Sequence, residues 1–408
     1  MKGKSIITRH FHLNIKEIFS YIFFLYFIYS TDSFYGSTFI KTGFFTFSKY
    51  VIVICGCIGF IKTLNSNNIW LNCLFAFSFI SIACIGGYSG GVVFKFLLLF
   101  AGFLFANIYG WDEFKKKYIE ILSFISVYSI ICFIFSKGIG NCHFFPIVEN
   151  VGHVQYKDLI FSHVPIVADY QGVIKIWRNY GPFWEPGVYQ IYLILGFIFV
   201  AFDTNSKRLD ITKMVLFGVT IFTTFSTAGF ISLAVVLIAF LFKKNYIKEK
   251  ALIVIIICLG LFILFSNDLF INMIFGKLIK KDASSSSRFD SLLGGLYITV
   301  CNPLGTGPYL FLAMMKDWGY DGNTNGFIQH FAILGWLFGF WYVYRLFNFA
   351  KCIENKNIMV TSILFLAIIM GFCNEPIFYS LPFSTVIFYK PLMRKNYINI
   401  QSLITPSL

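Results

Sequence analysis

Long apolar segments separated by short polar connections dominate the chain. Each segment approaches the roughly 20 residues that a helix needs to cross the hydrocarbon core of a bilayer. Lipid offers backbone amides no hydrogen-bond partner, so we expect every segment to be helical. The pattern predicts an all-α polytopic membrane protein with about 12 transmembrane helices, forming one integral membrane domain over residues 1–408. The predicted spans are residues 17–32, 43–61, 70–86, 92–110, 119–136, 188–202, 212–225, 228–242, 251–266, 326–344, 358–374 and 377–390.

Composition excludes the main alternatives to a membrane protein. Hydrophobic residues make up 57% of the 408 residues and charged residues only 13%. A soluble domain carries about 25% charged residues, so this chain could not cover a soluble surface of its size. A disordered chain, a coiled coil and a secreted disulfide scaffold are excluded on the same grounds.

The formal net charge of +14, from 33 Lys and Arg against 19 Asp and Glu, sets the expected orientation. In a soluble protein such an excess would suggest nucleic-acid binding. In a membrane protein, cytoplasmic loops hold Lys and Arg. With the N-terminus inside, most basic residues fall in inner segments, including Lys115, Lys207, Lys243, Arg345 and Lys390. We therefore expect a multi-pass membrane protein with both termini in the cytoplasm.

Two long connections lie on the predicted outer side of the membrane. They cover residues 137–187 and 267–325, and both are rich in aromatic residues and glycine. Long loops of this kind are usually functional or disordered. Within the second, residues 268–281 place apolar side chains on one helical face, which predicts a helix lying at the membrane interface. The alternative is that this stretch extends the preceding span.

The first loop ends in a charged segment directly before a span. Arg178 and Glu185 lie in a stretch that also contains Gly181 and Pro182, which argue against a regular helix. A Glu at membrane depth is unfavourable unless it is paired or functional. The alternative to a functional Glu185 is a salt bridge that anchors the loop.

The second loop adds an arginine and several further polar candidates. A guanidinium group binds phosphate oxygens in pairs and keeps its charge, so Arg178 and Arg288 together could clamp a diphosphate at headgroup level. Ordinary solvation of the loop is the alternative for Arg288. Asp321 and His330 are further candidates for a base, although a lone His at a span start is more often a packing residue. His143, His153 and His163 share no helical face, so we expect neither a metal nor another cofactor.

Several short motifs together resemble the O-antigen polymerase family, within the superfamily of O-antigen polymerases and O-antigen ligases. The resemblance covers roughly residues 170–345 in detail. The motifs are Arg178-x-x-Gly-x-Phe-x-Glu-Pro186 before a span, the Ser226-Thr-Ala-Gly229 hairpin, Arg288 followed by Asn302-Pro-Leu-Gly-Thr-Gly307, and Asn325-x-x-x-Gln329-x-x-x-x-x-Gly335 entering a span.

The resemblance implies a membrane glycosyltransferase with GT-C-like architecture in the bacterial inner (cytoplasmic) membrane, with the two long loops in the periplasm. Such enzymes take a glycan from undecaprenyl diphosphate on the periplasmic face, and polymerases join it to the terminal sugar of another lipid-linked repeat unit during lipopolysaccharide or other polysaccharide biosynthesis. It further implies that Arg178, Arg288 and Asn325 bind substrate, the arginines through its diphosphate. The implied partners are a flippase and a chain-length regulator, with no nucleic acid. For the catalytic base, the residues themselves offer Glu185, Asp321 and His330, in that order.

Two other functions stay open. Ligases of the superfamily, which transfer the finished glycan to lipid A-core, commonly carry His-Asn where this chain has Thr324-Asn325, and an acid where Ile333 stands; both departures favour a polymerase. A lipid-linked oligosaccharide flippase or other transporter should place its polar residues within several spans. Here the marked polar residues gather in loops beside span ends, which favours an enzyme.

Overall fold

The computed structural model describes residues 15–31, 33–36, 43–66, 68–85, 90–149, 154–167, 169–171, 174–203, 209–243, 283–319, 325–375, 377 and 380–390. The helices within these ranges are α1 Ile15–Tyr29, α2 Gly43–Leu64, α3 Trp70–Cys84, α4 Gly90–Ile108, α5 Trp111–Ile134, α6 Ser136–Asn141, α7 Pro186–Ala201, α8 Ile211–Thr223, α9 Thr227–Phe242, α10 Ala283–Cys301, α11 Gly307–Asp317, α12 Gly326–Ile353, α13 Ile358–Asn374 and α14 Leu381–Val386. The strands are β1 Ile147–Glu149, β2 Gln155–Asp158, β3 His163–Pro165, β4 Asp169–Gln171 and β5 Ile174–Ile176.

The expectation of a mainly helical membrane protein is confirmed. Each predicted span up to residue 242 coincides with a helix, as do the predicted spans 326–344 and 358–374. Within the described residues, four helices are long and apolar enough to cross a bilayer. Their apolar stretches are Thr46–Leu64, Gly90–Ile108, Trp111–Ile134 and Gly326–Ile353. Large apolar side chains on α2, such as Ile54 and Ile61, are more than half exposed, which suits contact with lipid.

Helix α7 forms the centre of the bundle. Every residue from Pro186 to Ala201 is buried. A helix that is apolar on all sides is stable either in lipid or in a protein interior, and the burial of α7 shows that it lies in the interior. Helices α5, α8, α9 and α13 surround it. The N-terminal end of α7 follows the Arg178 segment, which we define as residues 178–185.

The last predicted span is wrong as a membrane-crossing helix. Among the described residues of the range 377–390, only Leu381–Val386 form a helix, the short α14. Six residues rise about 9 Å, far less than the roughly 30 Å of hydrocarbon. Every residue from Ser380 to Tyr389 is nevertheless buried, and Gly102 of α4 lies directly against Ser384. The apolar side chains of this segment therefore contact other helices and not lipid.

The second long loop is also different from its prediction. Residues 283–317 contain α10 and α11, joined by a short turn at residues 302–306. This helical hairpin packs on α12. The run Ser291–Cys301 is apolar but too short to be recognised as a span. The predicted interfacial helix at 268–281 and the predicted span at 251–266 lie outside the described residues.

The turn of this hairpin enters a break in α12 at Gly335. Gly335 has φ 84° and ψ 171°, and the helical bond between Trp336 N–H and Ala332 C=O is interrupted. The Trp336 amide donates instead to Pro303 O at 2.8 Å, and the Thr306 amide donates to Ala332 O at 2.9 Å. Two of the groups freed by the break, the Trp336 amide and the Ala332 carbonyl, are thus satisfied by the turn, as irregular backbone inside an apolar layer requires.

The first long loop folds into small antiparallel sheets. Strands β1, β2 and β3 form one sheet in that order, and β4 pairs with β5. His163 of β3 is buried and stacks on Phe34 at 4.1 Å between ring centroids. We call this unit the β cap (residues 147–176). It leads directly into the Arg178 segment.

Candidate active site

Backbone hydrogen bonds fix the Arg178 segment from three sides. Asn179 N–H donates to Thr223 O at 2.9 Å, at the end of α8. Gly181 O accepts from the His163 amide of the β cap at 2.9 Å, and Pro182 O accepts from the Phe34 amide at 2.8 Å. An irregular segment held in this way positions its side chains as rigidly as a helix does.

Gly181 lets this segment pass close to the centre of the bundle. Its φ is +52°, and a Cβ at this position would lie 2.6 Å from the Tyr189 ring. The next aromatic residue, Phe183, is fully buried and stacks on Tyr189 and Tyr192 of α7, with ring centroids 5.4 and 4.4 Å apart. The sequence interpretation of a shaped segment before a span agrees with this geometry.

Arg178 and Asn179 attach to the hairpin between α8 and α9. The Arg178 Nε–H donates to Thr224 O at 2.9 Å. Asn179 Nδ2 donates to Thr223 Oγ1 at 2.9 Å and to Ser129 Oγ at 3.1 Å. These bonds fix the plane of the guanidinium group, because Nε lies within that plane.

The hairpin itself carries a rare backbone conformation. Phe225 has φ 48°, a region that bulky residues seldom occupy. Its neighbours Thr224 and Ser226 are buried, and Ser226 N–H donates to Thr224 Oγ1 at 3.3 Å. Such conformations cost about 1–3 kcal/mol and concentrate at sites that need a particular geometry. Here the turn presents the Thr224 carbonyl to Arg178.

Glu185 forms the boundary between the Arg178 segment and α7. Its backbone is extended, with φ −145° and ψ 142°, and Pro186 follows at the first helical position. Proline is favoured there because its fixed φ suits a helix start and its missing N–H is not needed. The Glu185 carbonyl accepts from the amides of Val188 and Tyr189 at 3.1 and 3.2 Å. Its side chain makes no capping bond.

A second carboxylate, Glu375, lies at the same helix end, and the sequence analysis did not find it. Glu375 is 4% exposed and ends α13. A Cβ on Gly187 would lie 2.4 Å from Glu375 Oε1, so only glycine leaves room for this carboxylate in the first turn of α7. An anion is stabilised at a helix N-terminus by the peptide dipoles. One sequence signal existed, because Glu375-Pro376 repeats the Glu185-Pro186 pair at another span end.

Gln190 lies one turn below these carboxylates. It is fully buried, and neither amide atom of its side chain has a hydrogen-bond partner among the residues that the structure describes. A Cβ on Gly229 would lie 2.6 Å from Gln190 Oε1, so α9 approaches α7 closely here. Gln190 also lines a cavity of about 10 Å³, room for one water molecule.

Asn325 joins the start of α12 to this site. Its side chain accepts a hydrogen bond from Ile328 N–H at 3.0 Å and so caps the helix. The Cys373 thiol of α13 is within hydrogen-bonding reach of the same side chain. Cys373 precedes Glu375 by two residues, so Asn325 and the carboxylates belong to adjoining helix ends.

The predicted base His330 has different surroundings. It is 1% exposed and contacts the rings of Phe338 and Tyr342 of α12 at 5.0 and 4.5 Å between centroids. Lys95 of α4 acts electrostatically on it. His330 therefore contacts α4 and later turns of α12, whereas Glu375 contacts the first turn of α7. The geometry favours the packing interpretation of His330.

Two predicted site residues have no described side chain. Arg288 lies in α10, of which only the backbone is described at this position, and Asp321 lies outside the described residues. The contribution of Arg288 to the diphosphate clamp therefore stays a prediction. Among the side chains that the structure describes, no three His, Cys, Asp or Glu come together as a metal site.

Comparisons with known protein families, sequences and structures identify no relative of this chain. No family model, no curated protein and no solved structure matches this chain. Functional inference therefore depends on the residues and their geometry.

Proposed function

We propose that this protein is a membrane glycosyltransferase that polymerises a surface polysaccharide. In this proposal it transfers a glycan from undecaprenyl diphosphate to the terminal sugar of another lipid-linked repeat unit, on the periplasmic face. The observation that carries the proposal is the packing of Glu375 against Gly187 in the first turn of α7, directly after Glu185. The segment that leads into this helix also carries Arg178, whose guanidinium group is fixed on the Thr224 carbonyl.

The chemistry of the reaction fits these groups. A lipid diphosphate is a good leaving group, so it needs charge stabilisation more than a strong acid. Arg178 supplies that charge, and Arg288 is the predicted second guanidinium. The acceptor hydroxyl needs a group to take its proton. Glu185 is the first candidate and Glu375 the second, since both lie at the α7 end.

The alternatives receive less support. Ile333, where ligases commonly carry an acid, is an apolar residue that is 1% exposed, which favours a polymerase over a ligase. The break in α12 is a feature that transporters share. Transporters use the freed backbone groups to bind substrate, whereas here the turn at 302–306 occupies those of Ala332 and Trp336.

The decisive experiment is polymerisation by the purified protein in vesicles that contain lipid-diphosphate-linked repeat units. We expect the wild type to produce a ladder of glycan lengths on a gel. Arg178→Ala should lower the rate about 100-fold, the typical effect of removing one preorganised donor. Arg288→Lys should fail similarly, because a point charge does not replace the guanidinium fork. Lys137→Gln, which removes an exposed charge from the same loop, is the matched control.

Two further variants identify the base. Glu185→Gln should lower turnover about 100-fold or more with little change in substrate binding. If Glu375→Gln does so instead, the base is Glu375. A normal ladder from both Arg178→Ala and Arg288→Lys would reject the diphosphate clamp. A deletion strain distinguishes the ligase: a single repeat unit left on lipid A-core marks a polymerase, and complete loss of attached sugar marks a ligase.

A further inference from the structure

A buried arginine lies in the C-terminal half of α12, after the break at Gly335. Arg345 is 6% exposed and lies about 12 Å before the C-terminal end of the helix, at 1.5 Å per residue. Its Nε and Nη2 atoms are shielded from solvent, and neither has a hydrogen-bond partner in the described part of the chain. The Phe388 ring lies beneath the guanidinium group, with 5.6 Å between Cζ and the ring centroid.

A second cation lies close to it. Lys390 follows α14, is partly buried, and is close enough to Arg345 for the two charges to repel each other. The other titratable groups that face this pair are Tyr344 and Cys352. No carboxylate acts on either cation among the described groups. Two like charges close together, one of them buried, are unfavourable without an anion.

The sequence analysis counted both residues as ordinary inner-side charges that set orientation. Such residues need only water or headgroups around them. Arg345 is buried, so its guanidinium group needs a hydrogen-bond acceptor within the protein or from a ligand. Its two unsatisfied donors, Nε–H and Nη2–H, are the pair on one edge of the guanidinium group, which bind two oxygens of one phosphate or carboxylate side by side.

We propose that Arg345 and Lys390 form a binding site for a phosphate group. Arg345 supplies the two-donor edge, Lys390 supplies a second positive charge, and Phe388 forms an apolar wall. Phosphate is favoured over carboxylate because a phosphate group has oxygens for both cations at once. The group comes either from the headgroup of an anionic phospholipid or from free phosphate, and the experiment distinguishes the two. The site is independent of the proposed polymerase activity.

The experiment measures binding to the purified full-length protein in nanodiscs of phosphatidylcholine. Phosphatidylglycerol is added in one arm and inorganic phosphate in the other. Thermal unfolding reports stabilisation, and native mass spectrometry counts bound lipid. We expect an anion to raise the unfolding midpoint by about 3–5 °C when present well above its dissociation constant.

The variants test the residues. Lys390→Gln and Arg345→Gln should each weaken binding about tenfold, the usual effect of losing one charged contact. Arg345→Lys should weaken it similarly because the fork is lost. Lys351→Gln is the matched control: it removes one positive charge from the same helix, where Lys351 lies over the Phe347 ring.

Each outcome decides the proposal. Stabilisation by phosphatidylglycerol alone assigns the site to a lipid headgroup, and stabilisation by phosphate assigns it to a free anion. Absence of stabilisation in both arms overturns the proposal. Equal stabilisation of the wild type and Lys390→Gln, together with equal stabilisation of any Arg345 variant that folds, overturns it as well.

Discussion

The two long loops look alike in sequence and differ in structure. The first, ahead of α7, forms the β cap, whose strands pair with each other and whose next residues attach to the α8–α9 hairpin. The second contains a helical hairpin whose turn enters a broken helix. Both bring irregular backbone to the helices. In the first loop, hydrogen bonds within its own sheets satisfy the backbone. In the second loop, the turn forms hydrogen bonds with the backbone of α12.

This difference predicts which kind of change destabilises each loop. Separate hydrogen bonds to the β cap, to α8 and to Phe34 hold the Arg178 segment, so each one can be lost without loss of the whole unit. The turn at 302–306 and the break at Gly335 complete each other, so neither stands alone. We therefore expect the second loop to be sensitive to backbone changes and the first to side-chain and pH changes.

The largest effect is expected at Gly335. Gly335→Ala places a Cβ 2.6 Å from the Leu304 carbonyl carbon, at a φ of +84° that alanine avoids. We expect a loss of about 4 kcal/mol or more in folding stability, from strain and overpacking together. Thermal unfolding of the purified protein measures it. Gly218→Ala in α8, where a Cβ meets no atom within 4 Å, should be neutral or slightly stabilising. Equal stability of both variants would contradict the interdependence of turn and break.

The second effect is a pH dependence of the β cap. Burial lowers the pKa of His163 to about 4, against 6.5 for an exposed histidine, although Asp158, with its carboxylate 3.5 Å from Nδ1, acts in the opposite direction. Phe34 and Tyr35 are the other groups facing the ring. Between pH 6.5 and 4 the opened cap binds a proton that the closed cap does not, so acid favours opening.

The expected loss is up to about 3 kcal/mol as pH falls from 6.5 to 4, at 1.36 kcal/mol per pH unit. Hydrogen exchange of residues 155–165 against pH measures it. His163→Phe keeps a ring to stack on Phe34 and removes the titrating group, so its exchange should lack this pH dependence. The same pH dependence in both proteins would assign the effect to another group.

The smallest effect is expected at Asn179. Asn179→Ala removes the bonds to Ser129 and Thr223, and also the Oδ1 acceptor of Gly181 N–H. We expect a loss of about 2 kcal/mol in stability and a clear drop in polymerisation rate, because Arg178 loses its neighbouring anchor. Thermal unfolding and the glycan ladder measure the two. Gln155→Ala, which removes an exposed bond to Glu149 in the same loop, should change neither.

Most of the helical framework was predictable because apolar length alone specifies a span. Apolar length did not identify the structure of two segments correctly. Ser291–Cys301 is apolar but short, so it was interpreted as loop, although it forms the end of α10. Residues 377–390 are equally apolar, yet their contacts are with protein around α4. Hydrophobicity does not distinguish a residue that faces lipid from one that faces another helix.

The site was predictable only where its residues are close in sequence. Arg178 and Glu185 share one segment, and glycine and proline between them indicated an irregular path. Glu375 reaches the site through the packing of α13 against α7, and its contact with Gly187 has no local sequence signature. His330 was selected by residue type alone, and its neighbours are aromatic rings and Lys95.

The contact between Gly187 and Glu375 also sets when the centre of the bundle is completed during synthesis. The ribosome adds the carboxylate long after the helix turn that receives it, because Glu375 follows Gly187 by 188 residues. The earlier helices enter the bilayer with the space in front of Gly187 unfilled. A nascent chain therefore holds an incomplete centre until translation has passed Glu375, and a prematurely terminated product inserts without acquiring the full set of charges.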